Sequence, residues 1–182
     1  MCTTGKLFLT GFILLLVAHS SKAQIEIAHI FSKGHPATGF GAFLHAGSPV
    51  SQADEVGGEL GLYYFAPGYH MLTVPLLVTY RHTLNGSGTG FYLEAVAGYS
   101  FGATDIEETD AYGNTLYDAS GNVIYQKLSG PTAGASFGYI FPSHNLPLNI
   151  GLRYEHLFIS GDPSQNILAL RLSWSLIHGR SQ

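Results

Sequence analysis

The chain has 182 residues, one domain's worth, and only 11% of them are charged, against roughly 25% in an ordinary soluble domain. A formal charge of −4 excludes the basic footprint of a nucleic-acid-binding protein. A single cysteine, Cys2, excludes a disulfide framework and a thiolate metal centre.

The opening stretch, MCTTGKLFLTGFILLLVAHSSKAQ, places Lys6 before an apolar run from Leu7 to Ala18 and ends on Ser21-Lys22-Ala23. That is the layout of a secretory signal cleaved after Ala23. The apolar run is shorter than the roughly 20 residues of a membrane-spanning helix. The expected organisation is therefore a signal peptide over 1–23 and one domain over 24–182. Cleavage removes Cys2, Lys6 and Lys22, leaving six Lys and Arg against twelve Asp and Glu.

Eight strands follow in chain order: Ile25–Ser32, Thr38–Ala46, Glu55–Phe65, Tyr69–Thr83, Gly90–Gly102, Gly130–Phe141, Leu146–Phe158 and Asn166–Ile177. The connections KGHP, GSPVSQAD, APG, LNGSG, PSHN and SGDPSQ carry the turn residues that separate strands. No segment keeps a helical period. Pro75 lacks a ladder donor and predicts a bulge in the fourth strand.

Period-two alternation is clearest in the second half. Leu148, Ile150, Leu152, Tyr154 and Phe158 alternate with Asn149, Gly151, Arg153 and Glu155. Leu168, Leu170, Leu172, Trp174 and Leu176 alternate with Ala169, Arg171, Ser173 and Ser175. One face is apolar with aromatics toward its ends; the other is small and polar. The strand charges Glu59, Arg81, Glu94, Arg153, Glu155 and Arg171 all fall on the small-residue face. An Arg turned to lipid at mid-depth costs roughly 2–4 kcal/mol, so the greasy face belongs outside and the charges belong in an interior ion network. Glu26 adds one further acid to that interior.

An eight-stranded antiparallel up-and-down transmembrane β-barrel is the fold class this pattern predicts. With the chain entering from the periplasm, the longest connection, 103–129, falls outside the cell and short turns fall inside.

The segments TVPLLVTYRHTLNGSGTGFYLEAVAGYSFG, GPTAGASFGYIF and NIGLRYEHLFISGDPSQNILALRLSW resemble small outer-membrane barrels of Bacteroidetes-type bacteria, in the OmpA/OmpX-like superfamily. The resemblance covers nearly all of the chain after the signal. It implies residence in the Gram-negative outer membrane and insertion by the barrel-assembly machinery. It leaves function open, because that superfamily holds adhesins, structural barrels and lipid-modifying enzymes. Members usually end on an aromatic residue, whereas this chain ends SWSLIHGRSQ, with Trp174 as the nearest equivalent.

The long loop contains a tandem octad, DAYGNTLY then DASGNVIY, over residues 110–125. Turn chemistry at its centres and Leu-Tyr or Ile-Tyr at its ends predict a hairpin displaying Tyr112, Tyr117 and Tyr125. These tyrosines form a candidate contact surface for an extracellular protein or other surface partner; the alternative is a solvated loop. Five acids, Asp105, Glu107, Glu108, Asp110 and Asp118, match no calcium-loop spacing. Eight scattered histidines after the signal make no metal-ligand pair, and no cofactor is expected. His156 and Ser160 lie near one rim, but no His-x-Ser pair supports rim-site hydrolysis. The expected role is non-enzymatic: a structural or adhesion-like barrel whose lumen is filled by side chains, as eight strands require. Two alternatives remain, a soluble periplasmic lipocalin-like barrel for an apolar ligand and a rim-site lipid-A-modifying enzyme.

Overall fold

A computed structural model describes residues 21–31, 36–66, 70–110, 112–142, 147–159 and 165–176. The strands are β1 (Ser21–Phe31), β2 (Ala37–Pro49), β3 (Asp54–Phe65), β4 (Met71–Thr83), β5 (Gly90–Glu107), β6 (Tyr125–Lys127), β7 (Gly130–Ile140), β8 (Leu148–Leu157) and β9 (Gln165–Ser175). Eight of them pair antiparallel around a ring, β5 with β7, and β9 returns to β1 to close it. Short β6 lies outside the ring, on the extension of β5. Closure leaves no sheet edge, which lets strands sit in lipid without a row of unpaired ladder groups.

The period-two pattern becomes inside and outside. In β4, Met71, Thr73, Leu77, Thr79, Arg81 and Thr83 are buried, whereas Leu72, Leu76, Val78 and Tyr80 are exposed. Arg153 and Arg171 are 0% exposed while Leu152 and Leu170 are 50% and 51% exposed, which fixes the direction in which the barrel turns its apolar side chains. Exposed aromatics ring both ends: Phe31, Tyr64, Phe101 and Tyr154 near the long connection, Tyr80, Phe91 and Phe137 near the short turns.

The lumen has two halves. Toward the long connection, Ile30, Phe43, Tyr63, Phe65, Met71, Ile106, Leu128 and Ile167 form an apolar core. Toward the short turns it is polar and charged. Close to the short turns Tyr92 lies against Gly138 and Gly151, which pair across β7 and β8; a Cβ on either would strike the Tyr92 hydroxyl. Glycine there makes room for a ring that fills the lumen.

Two expectations need correction. Pro75 makes no bulge: the β3–β4 register is the same on both sides, Leu60 opposite Leu76 and Tyr63 opposite Thr73, and only the rungs between them are open. Gly61 stands at the rung facing Pro75, so the missing donor is absorbed by local unpairing. The long connection is shorter than 103–129, because β5 runs on to Glu107 and β6 pairs back on it. The described β1 also includes Ser21, Lys22 and Ala23, the end of the expected signal, with Lys22 Nζ 2.7 Å from Glu55. Cleavage after Ala23 would shorten β1 by three residues and leave Glu55 with His45 and Arg81.

Candidate functional site

Inward-facing positions of six strands converge on one ion cluster. Arg153 on β8 lies at its centre. Its Nη1 is 3.4 Å from Glu26 and 3.2 Å from Glu155, and its Nη2 is 3.5 Å from Glu94 and bonded to Glu59. Arg171 on β9 donates from Nε to Glu26 at 3.0 Å, from Nη1 to Glu94 at 2.7 Å and from Nη2 to Ser136 Oγ at 3.1 Å. Arg81 on β4 donates Nε and Nη2 to one oxygen of Glu94, at 2.9 and 2.6 Å, and stacks over Tyr92 at 4.7 Å. The structure thus brings together all six charges collected from the sequence, with Glu26 among them.

It also adds residues that sequence reasoning passed over. His45 on β2 sits between Glu59, 3.1 Å from Nδ1, and Glu55, 2.9 Å from Nε2. With a carboxylate at each nitrogen, the ring satisfies both only by donating twice. Gln24 donates to Glu59 at 2.9 Å, and Tyr63 donates to Glu26 at 2.5 Å. Strand parity could have found His45 and Glu55: His45 alternates with Leu44 and Ala46, and Glu55 shares its face with Glu59. Scattered along the chain, the histidines form no metal-ligand pair, yet this one is an interior partner of two carboxylates.

The network is not uniformly satisfied. Neither oxygen of Glu155 accepts a hydrogen bond among the described residues, and Arg153 Nη1 faces it without hydrogen-bond geometry. Asn149, Ser173 Oγ and Tyr92 OH are also buried without a hydrogen-bond partner there. Asn149 and Ser173 line a cavity of about 250 Å³ at the short-turn end, with Lys22, Glu55, Arg81 and Trp174. At ~30 Å³ per molecule it has room for roughly eight waters. This polar-lined cavity lies at one end of a lumen that the apolar core fills at the other.

The long connection is a second candidate. Its two octads make the same turn twice. Asp110 Oδ1 accepts from the backbone of Tyr112 and Asn114 at 2.8 and 2.9 Å; Asp118 Oδ1 accepts from Ser120 and Asn122 at the same distances. Gly113 and Gly121, at φ +85° and +83°, supply the left-handed residue each turn needs. Leu116 N donates to Glu108 O, Ile124 N to Leu116 O, and Glu108 N to Ile124 O. Three segments eight residues apart therefore close a triangle of backbone bonds above the barrel. Tyr112, Tyr117 and Tyr125 are 91%, 61% and 49% exposed. Asp110 and Asp118 are spent on their own turns, and no metal-binding cluster occurs among the described residues. At the rim, His156 Nδ1 meets Asn166 Oδ1 at 2.8 Å; Ser160 lies outside the described residues.

Closed strands, an apolar outer belt and an ionic interior define a small membrane-spanning β-barrel. Among solved structures, the fold is similar to Neisserial surface protein A (TM-score 0.59, 14% identity, 86% of this chain and 94% of that one). It is also similar to Ail, the attachment invasion locus protein of Yersinia pestis (0.57, 11%, 86% and 97%), and to the N-terminal β-barrel domain of Pseudomonas aeruginosa OprF (0.50, 13%, 85% and 97%). A weaker likeness, at TM-score 0.47, is to the outer membrane enzyme PagL. No protein-family model and no curated protein sequence matches the chain.

Proposed function

We propose that this chain is an integral outer-membrane barrel with a structural or surface-interaction role, its lumen closed to general diffusion. The observation that carries the reading is the division of residue types across the wall: the described Arg side chains lie inside, and exposed Leu, Ile, Val and Phe form the outside. A soluble lipocalin-like barrel needs the reverse, with a greasy interior for its ligand and charge in water. The lumen excludes a diffusion route because Tyr63, Phe65 and Met71, each 0% exposed, fill the half above the ion cluster.

Under this reading the double-turn connection points away from the cell and is the contact element, through Tyr112, Tyr117 and Tyr125. Insertion would use the barrel-assembly machinery, and catalysis has no part. Protease treatment of intact cells tests the arrangement. Cleavage confined to residues 108–124, with heat-modifiable migration of the untreated protein, is the expected result. Cuts within the short turns, or extraction by carbonate, would refute it.

A further inference from the structure

The cavity at the short-turn end holds a cation of the chain itself. Lys22 Nζ stands 2.7 Å from each oxygen of Glu55, the length of a charge-assisted N–H···O bond. With it the lumen is balanced: Glu26, Glu55, Glu59, Glu94 and Glu155 face Lys22, Arg81, Arg153, Arg171 and a His45 that donates from both nitrogens. Cleavage after Ala23, expected from the layout of the signal, removes Lys22 and leaves that set one cation short. Arg81 does not make up the loss, because its Nε and Nη2 are committed to Glu94 and its Nη1 is 3.8 Å from Glu55. A buried charge left without compensation is costly.

The surroundings of Glu55 suit an ammonium rather than a metal ion. Ser173 and Asn149, 1% and 4% exposed, line the same cavity, and their side-chain oxygens accept no hydrogen bond among the described residues. Lys22 stands opposite Ser175; Ser173 is the next inward position on β9, with Asn149 opposite it on β8. Such diagonal neighbours lie within reach of a long side chain. Carboxylate, hydroxyl and amide oxygens therefore border one cavity, acceptors for the N–H groups of a primary ammonium. Asp54, the other acid on the wall, is engaged by Ser51, Tyr80 and His82. One carboxylate flanked by Arg81 and His45 is a poor ligand set for a divalent cation. Ala53, Ile140 and Pro147 add apolar wall against which a short hydrocarbon stem can lie.

We propose that the mature lumen binds the primary ammonium of a small amine beside Glu55, in the place that the Lys22 side chain fills before the signal is removed. The inference rests on cleavage after Ala23, which the intact mass of the secreted protein tests by itself: a mature chain that keeps Lys22 overturns it. The chain beginning at Gln24, folded in neutral detergent, would be titrated with butylammonium, which copies the four-carbon stem of lysine. Tetramethylammonium at equal ionic strength carries the same charge without an N–H. Butylammonium should bind saturably by calorimetry and raise the temperature of heat-modifiable migration; tetramethylammonium should do neither. A chain beginning at Ser21 should not bind, since its own ammonium is in place. Lys22→Ala in that longer chain should restore binding with the β1 ladder kept. In the chain beginning at Gln24, Glu55→Gln should abolish binding and Ser173→Ala should weaken it several-fold; the Lys22→Ala and Ser173→Ala arms still read the site should Glu55→Gln fail to fold. Butylammonium acting no differently from tetramethylammonium would mean that a proton or the α-ammonium of Gln24 balances the lumen, and overturns the proposal. So does binding retained in a folded Glu55→Gln barrel, or equal binding by the chains with and without Lys22.

Discussion

The two halves of the lumen hold the same eight strands together by opposite means. Near the short turns, charge is buried in mutual contact; near the long connection, Phe43, Tyr63, Phe65 and Met71 pack as in a soluble core. Loss of one member of a buried ion set leaves its partners uncompensated, so the damage exceeds what the lost contact contributed. Loss of an apolar side chain leaves a cavity, and the damage scales with the volume removed. The polar half should therefore fail by imbalance and the apolar half by degree.

Arg153→Met is the sharpest test and the largest expected effect. It strips Glu26, Glu59 and Glu155 of their shared cation and should destabilise the barrel by about 3–5 kcal/mol, read from urea unfolding in vesicles. Pairing it with Glu59→Gln should recover part of that loss. A double variant as unstable as the sum of the singles would mean the ions are not coupled. In the apolar half, Met71→Ala should cost about 2–5 kcal/mol, with Met71→Leu far milder. If Met71→Leu is as harmful as Met71→Ala, shape rather than volume governs that half.

The same contrast decides what was legible in the sequence. Charge is tolerated on one side of a membrane wall only, so each Arg or Glu at a strand position declares its face, and Arg81, Arg153 and Arg171 marked the lumen. Apolar side chains are tolerated on both sides. Along Leu62-Tyr63-Tyr64-Phe65 both faces are greasy, alternation disappears, and the apolar half of the lumen left no trace in the pattern. Parity gives the inward face of His45 but not its partners: they lie on the neighbouring strand, and only the β2–β3 register, with His45 opposite Glu59, brings them together. The two turns of the long connection were legible because Asp, Gly and Asn recur at a fixed spacing; the triangle that closes them depends on β5 running on to Glu107.

Within the polar half, Glu155 should break the rule of imbalance. Glu59 is bonded by Arg153, His45 and Gln24, whereas Glu155 accepts no hydrogen bond among the described residues. Glu155→Gln, which removes a desolvated charge while keeping shape, should change stability by less than about 1 kcal/mol, in either direction. Glu59→Gln should be clearly destabilising in the same assay. Equal losses would show that Glu155 is as firmly held as the rest.

The smallest effect expected lies outside the barrel, where neither form of burial operates. The Asp110 carboxyl is held below the ordinary aspartate range by the Asn114 side chain and by backbone donors. That of Asp118 is held low by the backbone and side chain of Asn122. A carboxyl depressed in the folded turn stabilises it above the unfolded value of about 3.9, and the contribution disappears as pH falls through the depressed value. Both aspartates lie at the surface of the connection, so this is a local effect. NMR titration should find both turns intact at neutral pH and loosened in acid while the barrel amides stay protected. Asn114→Ala should raise the Asp110 midpoint and leave Asp118 unmoved, because each octad closes its own turn. A shift at both would show that the triangle of backbone bonds couples the turns, and the connection would then answer as one unit.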